Sequence, residues 1–540
     1  MNKKYMSALV LGGMAVSLQA QDTYLNERLT GTSDLIGTAR YVGMGGAMGA
    51  LGADISVMSA NPAGIGMFRK TNLAGTVSLL TQADRQSSGE SLTRFSFDNL
   101  GTVISIPLGT TQNLRFINFG FNYQKKANYN HVLTALNPNT KGLSQTDQMA
   151  DLSNAWAYED EDGNTNFPSG LIGNAFNAWL FDRDEAGYFG YGAQSNAFTR
   201  VTRGSLQGFD FNMSFNVRDR FYFGATVGID RVDYESHTLY NEVNNRPDEN
   251  GVTMHDEGYN LHTSQDISGY GYNVKFGTII RPLEDSPFRL GLTIETPTFY
   301  HLESSAYYMI DSPFDGDGNY TPGVWNQYRD NSDNYLEYEV RTPWKFRLSA
   351  GHTVSNLLAL GAEYEYADYS FTRMSYPNYN WYDGYWESYW EKTSDKDHEM
   401  NRLTDRTLQG VHSLKLGMEV RLTDNISART GYNYSSKVYK KNARLDQNID
   451  SYAMGVATGT DYMNTGDVNI FTFGLGYRGK HFFADVAYKY RHQHADFYAF
   501  DDSFSSKADF AETGLAGVKL DPVDVNLDRH QVFFTLGYKF

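Results

Sequence analysis

Alternation of apolar and polar residues is the dominant pattern along this chain of 540 residues. In 410–422, Leu414, Leu416, Met418, Val420 and Leu422 alternate with Ser413, Lys415, Gly417, Glu419 and Arg421. In 220–234, Phe221, Phe223, Ala225, Val227 and Ile229 alternate with Tyr222, Gly224, Thr226, Gly228 and Asp230. A period of two is that of a β-strand with one oily and one polar face. Such segments fall near 72–82, 95–108, 113–127, 206–217, 220–234, 268–281, 287–299, 337–350, 356–370, 410–422, 425–435, 468–478, 481–494 and 529–540. There are fourteen, and an even number returns both ends of a closed barrel to one side of a membrane.

A soluble β-sandwich has the same period with its apolar residues inward, so the period alone does not choose between the two. The intervals do. After even-numbered segments they are tight, as at Arg218-Asp219-Arg220, Thr423-Asp424-Asn425 and Gly479-Lys480. After odd-numbered segments they are long: 128–205, 301–336, 371–409, 436–467 and 495–528. Together with the polar second face, this asymmetry predicts an all-β fold, a 14-stranded antiparallel transmembrane β-barrel over 71–540 with long extracellular loops. The stretch Val532-Phe533-Phe534-Thr535-Leu536-Gly537-Tyr538-Lys539-Phe540 resembles the signature by which outer-membrane barrels are recognised by the barrel-assembly machinery.

Residues 1–20 read as a cleaved secretory signal, with Lys3 and Lys4 before the apolar run Met6 to Val16 and Leu18-Gln19-Ala20 at the cut. Cleavage takes the net charge from −17 to −19. With no Cys there is no acylation site, disulfide or thiolate metal site. No 18-residue apolar run follows, so no transmembrane helix is expected. The 39 Tyr and 33 Phe suit the aromatic girdles of a barrel, and the acidic balance argues against nucleic acid.

Between signal and first strand lies 21–70, whose part from Gly37 to Lys70 is rich in small residues. It cannot form a core of its own and must pack inside something larger. The run Ala60-Asn61-Pro62-Ala63-Gly64, preceded by Gly43-Met44-Gly45-Gly46-Ala47, resembles the N-terminal hatch of the FadL/TodX family of outer-membrane transporters for hydrophobic compounds. The resemblance implies a hatch over 21–70 plugging the barrel, with Gly43, Gly45, Gly46, Asn61, Pro62 and Ala63 as its motif. It implies passive uptake of hydrophobic molecules such as long-chain fatty acids or hydrocarbons from water to outer-membrane lipid, with no enzyme activity, cofactor or metal. A nucleotide reading of the glycines fails, because the last position of G-x-G-x-x-G is Met48.

Several side chains carry the candidate chemistry. Met44, Met48, Leu51, Met58 and Phe68, with Ile65, either offer a flexible greasy surface to a ligand or pack the plug to the wall. The family's inward-kinked third strand makes a lateral gate the expectation around Pro107, Asn118, Gly120 and Asn122; Pro107 removes a ladder donor and Gly120 marks a bulge, unless it is an ordinary lumen glycine. Polar-face cations, among them Lys275, Lys345, Arg347, Lys415 and Arg429, either receive a ligand head group or pair with Glu295, Glu363, Glu365 and Glu419. Trp381, Tyr385, Trp386 and Trp390 form a candidate outer groove for apolar molecules. His492 and His494 share a strand face and support the alternative of a haem-binding receptor; a hydrolase is the other alternative. The acidic runs at Asp160 and Asp315 do not complete a calcium loop and read as turns.

Overall fold

A lipid-facing strand needs apolar residues only at alternate positions, and the chain builds its wall from that rule. The computed structural model describes residues 23–31, 34–83, 91–109, 113–245, 258–321, 323–329, 334–355, 357–383, 388–453, 458–506 and 516–540. The candidate signal, 1–20, lies outside them.

Fourteen strands form the wall. They are β1 (Asn72–Gln82), β2 (Thr93–Pro107), β3 (Leu114–Asn128, continued by His131–Asn137), β4 (Ala193–Val217) and β5 (Phe221–Asn244). Next come β6 (Gly258–Ile280), β7 (Arg289–Glu295, continued by Phe299–Ser312), β8 (Asn334–Arg341, continued by Lys345–Val354) and β9 (Leu358–Asp368). The last are β10 (Gly410–Arg421), β11 (Ile426–Ser435), β12 (Tyr462–Arg478), β13 (Phe482–Tyr498) and β14 (Arg529–Lys539). Each pairs antiparallel with its neighbours in sequence, and β1 pairs with β14 from Asn72↔Lys539 to Gln82↔Arg529, so the sheet closes. The expected 14-stranded antiparallel barrel is the fold observed.

The outer face is apolar and exposed: Leu416, Phe473, Phe276 and Leu536 point away from the lumen. Such a belt is stable only in a hydrocarbon phase, so the barrel spans a membrane. At the short-turn end, Arg218 and Asp219, in the three-residue connection between the register partners Val217 and Phe221, both take positive φ (55° and 56°). Asp219 is held there by Arg69 and Arg115.

The strands run further than the alternation predicted. β4, β5 and the strand Gly258–Ile280 have 25, 24 and 23 residues, about twice what crosses a bilayer. Beyond the lipid their inward positions are mixed, as in Tyr234, Ser236, Tyr240 and Glu242, so the oily-polar contrast that marks the lower halves is lost. The expected long loop 128–205 is likewise partly strand and carries two helices, α3 (Gln145–Trp156) and α4 (Gly170–Asn177). These close an apolar core at the long-loop end, built from Met149, Leu171, Phe181, Phe198, Tyr240 and Phe497.

Two buried carboxylates sit at the start of α3, well outside the membrane-spanning part. Asp147 accepts from the backbone N–H of Ser144, and Glu242 accepts from the Ser144 hydroxyl, the Gln145 N–H and the Tyr240 hydroxyl. Burial, then the neighbouring Glu242, pushes Asp147 up to about 8. Burial pushes Glu242 up to about 7 against its hydrogen bonds. Each carboxyl keeps its proton in the folded state where an unfolded chain has lost it, so raising the pH through 7 to 8 destabilises this cap. Hydrogen-exchange protection of Gln145–Trp156 should fall by at least about tenfold between pH 6 and pH 9, and Asp147→Asn should flatten the decline. Protection independent of pH would contradict this.

Candidate functional site

The lumen is occupied by the N-terminal segment, which packs against the wall at two levels. The helix α1 (Thr23–Thr30) lies near the long-loop end, where Tyr24 stacks on Tyr439 at 5.0 Å and the Thr23 and Thr404 hydroxyls are 2.7 Å apart. From Asp34 to Phe68, within the span expected to be the hatch and called so below, the chain forms a short helix α2 (Ala39–Gly43) and two 3-10 turns, Ile55–Met58 and Pro62–Met67.

The Asn61-Pro62-Ala63 tripeptide builds the second of those turns. Asn61 caps it by accepting from the Ala63 N–H at 3.1 Å, Pro62 occupies a first-turn position that needs no donor, and Ala63 is fully buried. The Asn61 amide also donates to the Thr278 carbonyl of β6.

What lets this turn, and the glycine turns before it, sit so close to the wall is a ring of inward strand glycines. A Cβ at Gly224 would lie 2.5 Å from the Pro62 carbonyl; at Gly277 it would overlap Asn61, at Gly361 the Ala47 carbonyl, at Gly417 the Met44 carbonyl and at Gly431 Gly45. Side chains would overlap in the same way at Gly101, against Ile55, and at Gly120, against Met58. Glycine within a strand marks close approach of another backbone, and here the hatch is that backbone.

Electrostatics hold it from the sides. The hatch residue Arg40 pairs with Glu419 at 3.0 Å, and Glu419 also receives Arg429, which reaches Asp485 at 2.6 Å. Lys275–Asp210, Arg347–Glu295, Arg347–Glu365 and Lys415–Glu363 continue the network at 2.6–3.0 Å. The wall is thus cross-braced by paired charges, as buried charges require.

Two cavities lie between hatch and cap. One, of about 110 Å³, is polar and lined by these paired charges together with Thr30, Leu35, Tyr41 and Tyr300. The other, of about 190 Å³, lies along β13 and β14 and mixes Tyr129, Tyr234, Val438, Ile470 and Leu527 with Arg491 and Arg529. An apolar cavity of about 150 Å³ admits a benzene ring. Asp34 lines both cavities.

The named candidates fall in three places. Met44, Met48, Leu51, Met58, Ile65 and Phe68 are buried in one core between hatch and wall, with Val103, Ile470 and Phe533, and none lines either cavity. Pro107 ends the pairing of β2 with β3. Asn118 donates to the Ile65 and Phe68 carbonyls, tying β3 to the hatch, and Asn122 bonds Asn99 and Gln124. Gly120 marks no bulge: register shifts in β3 occur between Leu114 and Phe116 and between Lys125 and Ala127, and the glycine is there to admit Met58. Trp381 and Trp390 are register partners in the hairpin of Arg373–Asp383 with Ser388–Lys396, whereas Tyr385 and Trp386 lie outside the described residues. His492 hydrogen-bonds Asp528 at 2.8 Å and His494 pairs with Asp524 at 2.9 Å. Asp160 and Asp315 each accept from the backbone two and four residues on, as solvated turns do.

One feature of the wall had no sequence expectation. Thr296-Pro297-Thr298 and Thr342-Pro343-Trp344 face each other across β7 and β8, and between the rungs Glu295↔Lys345 and Phe299↔Arg341 only Thr298 and Thr342 bond, in both directions. Outside this break is an apolar notch of about 640 Å³ lined by Pro297, Phe299, Pro343, Trp344 and Phe371; inside, Thr298 lines the polar cavity. Two Thr-Pro pairs 46 residues apart in sequence are the signal that carries it.

A membrane-spanning barrel whose N-terminal segment packs inside its lumen, with small cavities beside that segment, is the class that these features define. Its fold is that of the FadL-type barrels. A Pseudomonas aeruginosa FadL homologue superimposes over 94% of this chain and 99% of its own at TM-score 0.51 and 14% identity. The P. putida toluene transporter TodX covers 94% and 99% at TM-score 0.47 and 12% identity, and the monoaromatic hydrocarbon channel CymD 95% and 98% at 0.48 and 11%. No family model matches the chain, and no curated protein matches it in sequence.

If the glycine ring seats the hatch, Gly417→Val should leave the barrel folded and heat-modifiable on gels while exposing Arg40 to trypsin and raising single-channel conductance. Gly75→Val, whose Cβ would meet its nearest neighbour only at an ordinary 3.6 Å, should do neither. Equal protease resistance in both variants would remove the ring from the account.

Proposed function

We propose that this protein is an outer-membrane channel for passive uptake of hydrophobic small molecules. The observation that carries the reading is the pair of hatch-bounded cavities inside a barrel whose fold is shared with a FadL homologue. The toluene and monoaromatic hydrocarbon channels named above, and the fatty acids implied by the sequence resemblance, set the range of ligands to try. Apolar burial stabilises a bound chain or ring by roughly 25 cal/mol per Å², so no chemical step or cofactor is required.

A molecule would be caught on the aromatic outer surface, reach the cavities, and leave sideways into lipid when the hatch shifts. Met44, Met48, Leu51, Met58 and Phe68 would meet it only in that shifted state, since in the present one they are packed against the wall. The β2–β3 exit has support from Asn118, through which a moving hatch pulls on β3. An exit between β7 and β8 has support from the two-proline break and the apolar notch outside it. A haem receptor would draw on His492 and His494, which in this state are each engaged by an aspartate.

Because the chain has no Cys, engineered disulfides test the exit cleanly. Cells expressing the protein should take up radiolabelled toluene or oleate faster than cells that lack it. Ser105→Cys with Asn118→Cys, register partners across β2 and β3, should slow uptake severalfold on oxidation, with recovery on reduction, if that is the exit. Thr298→Cys with Thr342→Cys should do so if the proline break is. Uptake indifferent to both disulfides would exclude lateral release at either place, and uptake equal to that of cells lacking the protein would overturn the channel itself.

A further inference from the structure

The short-turn end of the barrel carries cations that its acids do not pair, on a chain whose net charge is −17. Arg289 donates to the Leu51 carbonyl of the hatch at 3.1 Å, and Arg281 follows the buried, inward Ile279 by two residues. Arg421 follows Glu419 by two, on the face that meets Arg40. Arg478 and Lys539 both lie over the Phe483 ring, at 5.6 and 5.4 Å from its centre, and Lys70 is exposed where the hatch leads into β1. Among the described residues none of these six cations has a carboxylate within 4.0 Å. Arg281 reaches the backbone carbonyls of Asp219, Glu284 and Ser286 at 3.4 Å, and the Nε atoms of Arg281 and Arg289 are buried without a partner.

The acids at this end are engaged elsewhere. Asp219 is shared by Arg69 and Arg115, Glu419 by Arg40 and Arg429, and Glu284 holds Arg220 at 2.8 Å. Asp285 and Asp424, exposed on turns, form no ion pair among the described residues. Arg289 is repelled by Arg281 and Arg69, and Lys539 by Arg478, Arg40 and Lys70, so an incoming anion relieves a repulsion that is already built. The wall separates the inward groups from lipid head groups, and the anion therefore comes from water. A mouth framed by fourteen strands is roughly 25 Å across, and one small anion reaches only a part of the ring. A chain bearing several carboxylates reaches more of it, and guanidinium receives each carboxylate through two parallel hydrogen bonds.

We propose that the short-turn mouth is a docking surface for a carboxylate-rich segment of a water-soluble periplasmic protein. In an outer-membrane barrel the short turns face the periplasm. An acidic partner is repelled by the chain as a whole and drawn to this mouth, which steers and orients its approach. The assignment goes beyond the channel reading and takes from it only the outer-membrane placement.

The test is binding of fluorescein-labelled decaglutamate and decaglutamine, equal in length and different in charge, to the full-length barrel in phosphatidylcholine nanodiscs. Decaglutamate should bind at least about tenfold tighter than decaglutamine, and should weaken at least about tenfold between about 50 and about 300 mM salt. Empty nanodiscs should bind neither. Lys70→Gln/Arg281→Gln/Arg289→Gln/Arg421→Gln should lose at least about tenfold in decaglutamate affinity. Lys70→Gln/Arg421→Gln, which changes only exposed side chains, should lose about threefold with heat-modifiability unchanged, and so tests the surface even where the fourfold variant fails to fold. Arg402→Gln/Arg406→Gln/Lys437→Gln/Lys441→Gln, the same change of charge at the long-loop end, should bind as the wild type does.

Equal affinity of the wild type for the two peptides, binding that survives both mouth variants, or an equal loss in the long-loop variant would each overturn the docking surface. Displacement of decaglutamate by glycerol 3-phosphate at equal charge concentration would overturn it as well, and would assign the mouth to single phosphates of lipid or solute. None of these outcomes bears on uptake of toluene or oleate, which tests the channel separately.

Discussion

The structure depends on backbone meeting backbone across the lumen. A barrel of fourteen strands is too wide for wall side chains to fill, and a hatch of fewer than forty residues (Asp34 to Phe68) is too small to fill it with side chains of its own. The chain resolves this by removing side chains from both partners: Gly224, Gly277, Gly361, Gly417 and Gly431 on the wall, and a small-residue run on the hatch. Carbonyls and amides then lie within reach of the opposite surface, and Asn61, Arg40 and Asn118 convert proximity into specific bonds. Where the strand glycines leave room the segment fits closely, and between those places Met44, Met48, Leu51, Met58 and Phe68 pack it to the wall.

The charges play a different part. Arg347, Lys415 and Arg429 with Glu295, Glu363, Glu365, Glu419 and Asp485 form a belt of ion pairs just where the lumen would otherwise fill with water. Such a belt is costly to desolvate and expensive to break once built, so it fixes the shape of the wall. Each of these cations meets at least one carboxylate directly.

Much of the fold was legible from sequence because lipid imposes a simple rule on it. Leu414, Leu416 and Met418 point outward and Lys415 and Glu419 inward, as alternation required. The rule stops where the lipid stops, and so the upper halves of β4, β5 and β6 and the helices between β3 and β4 were not seen. The purpose of the strand glycines was not legible: sequence left Gly120 open between a bulge and an ordinary lumen glycine, because it shows the missing side chain and not what fills its place. Arg491 and Arg529 escaped because each is unremarkable in its own strand; only the register sets them opposite one another. The proline break between β7 and β8 needed the same information.

The account's central claim is that the lumen holds a hydrophobic molecule and passes it on. The most direct measurement is native mass spectrometry of the barrel extracted gently from its membrane, followed by release and identification of whatever travels with it. One bound molecule with a long chain or ring system is expected. Haem, or a barrel that is empty and conducts ions freely in a planar bilayer, would contradict it.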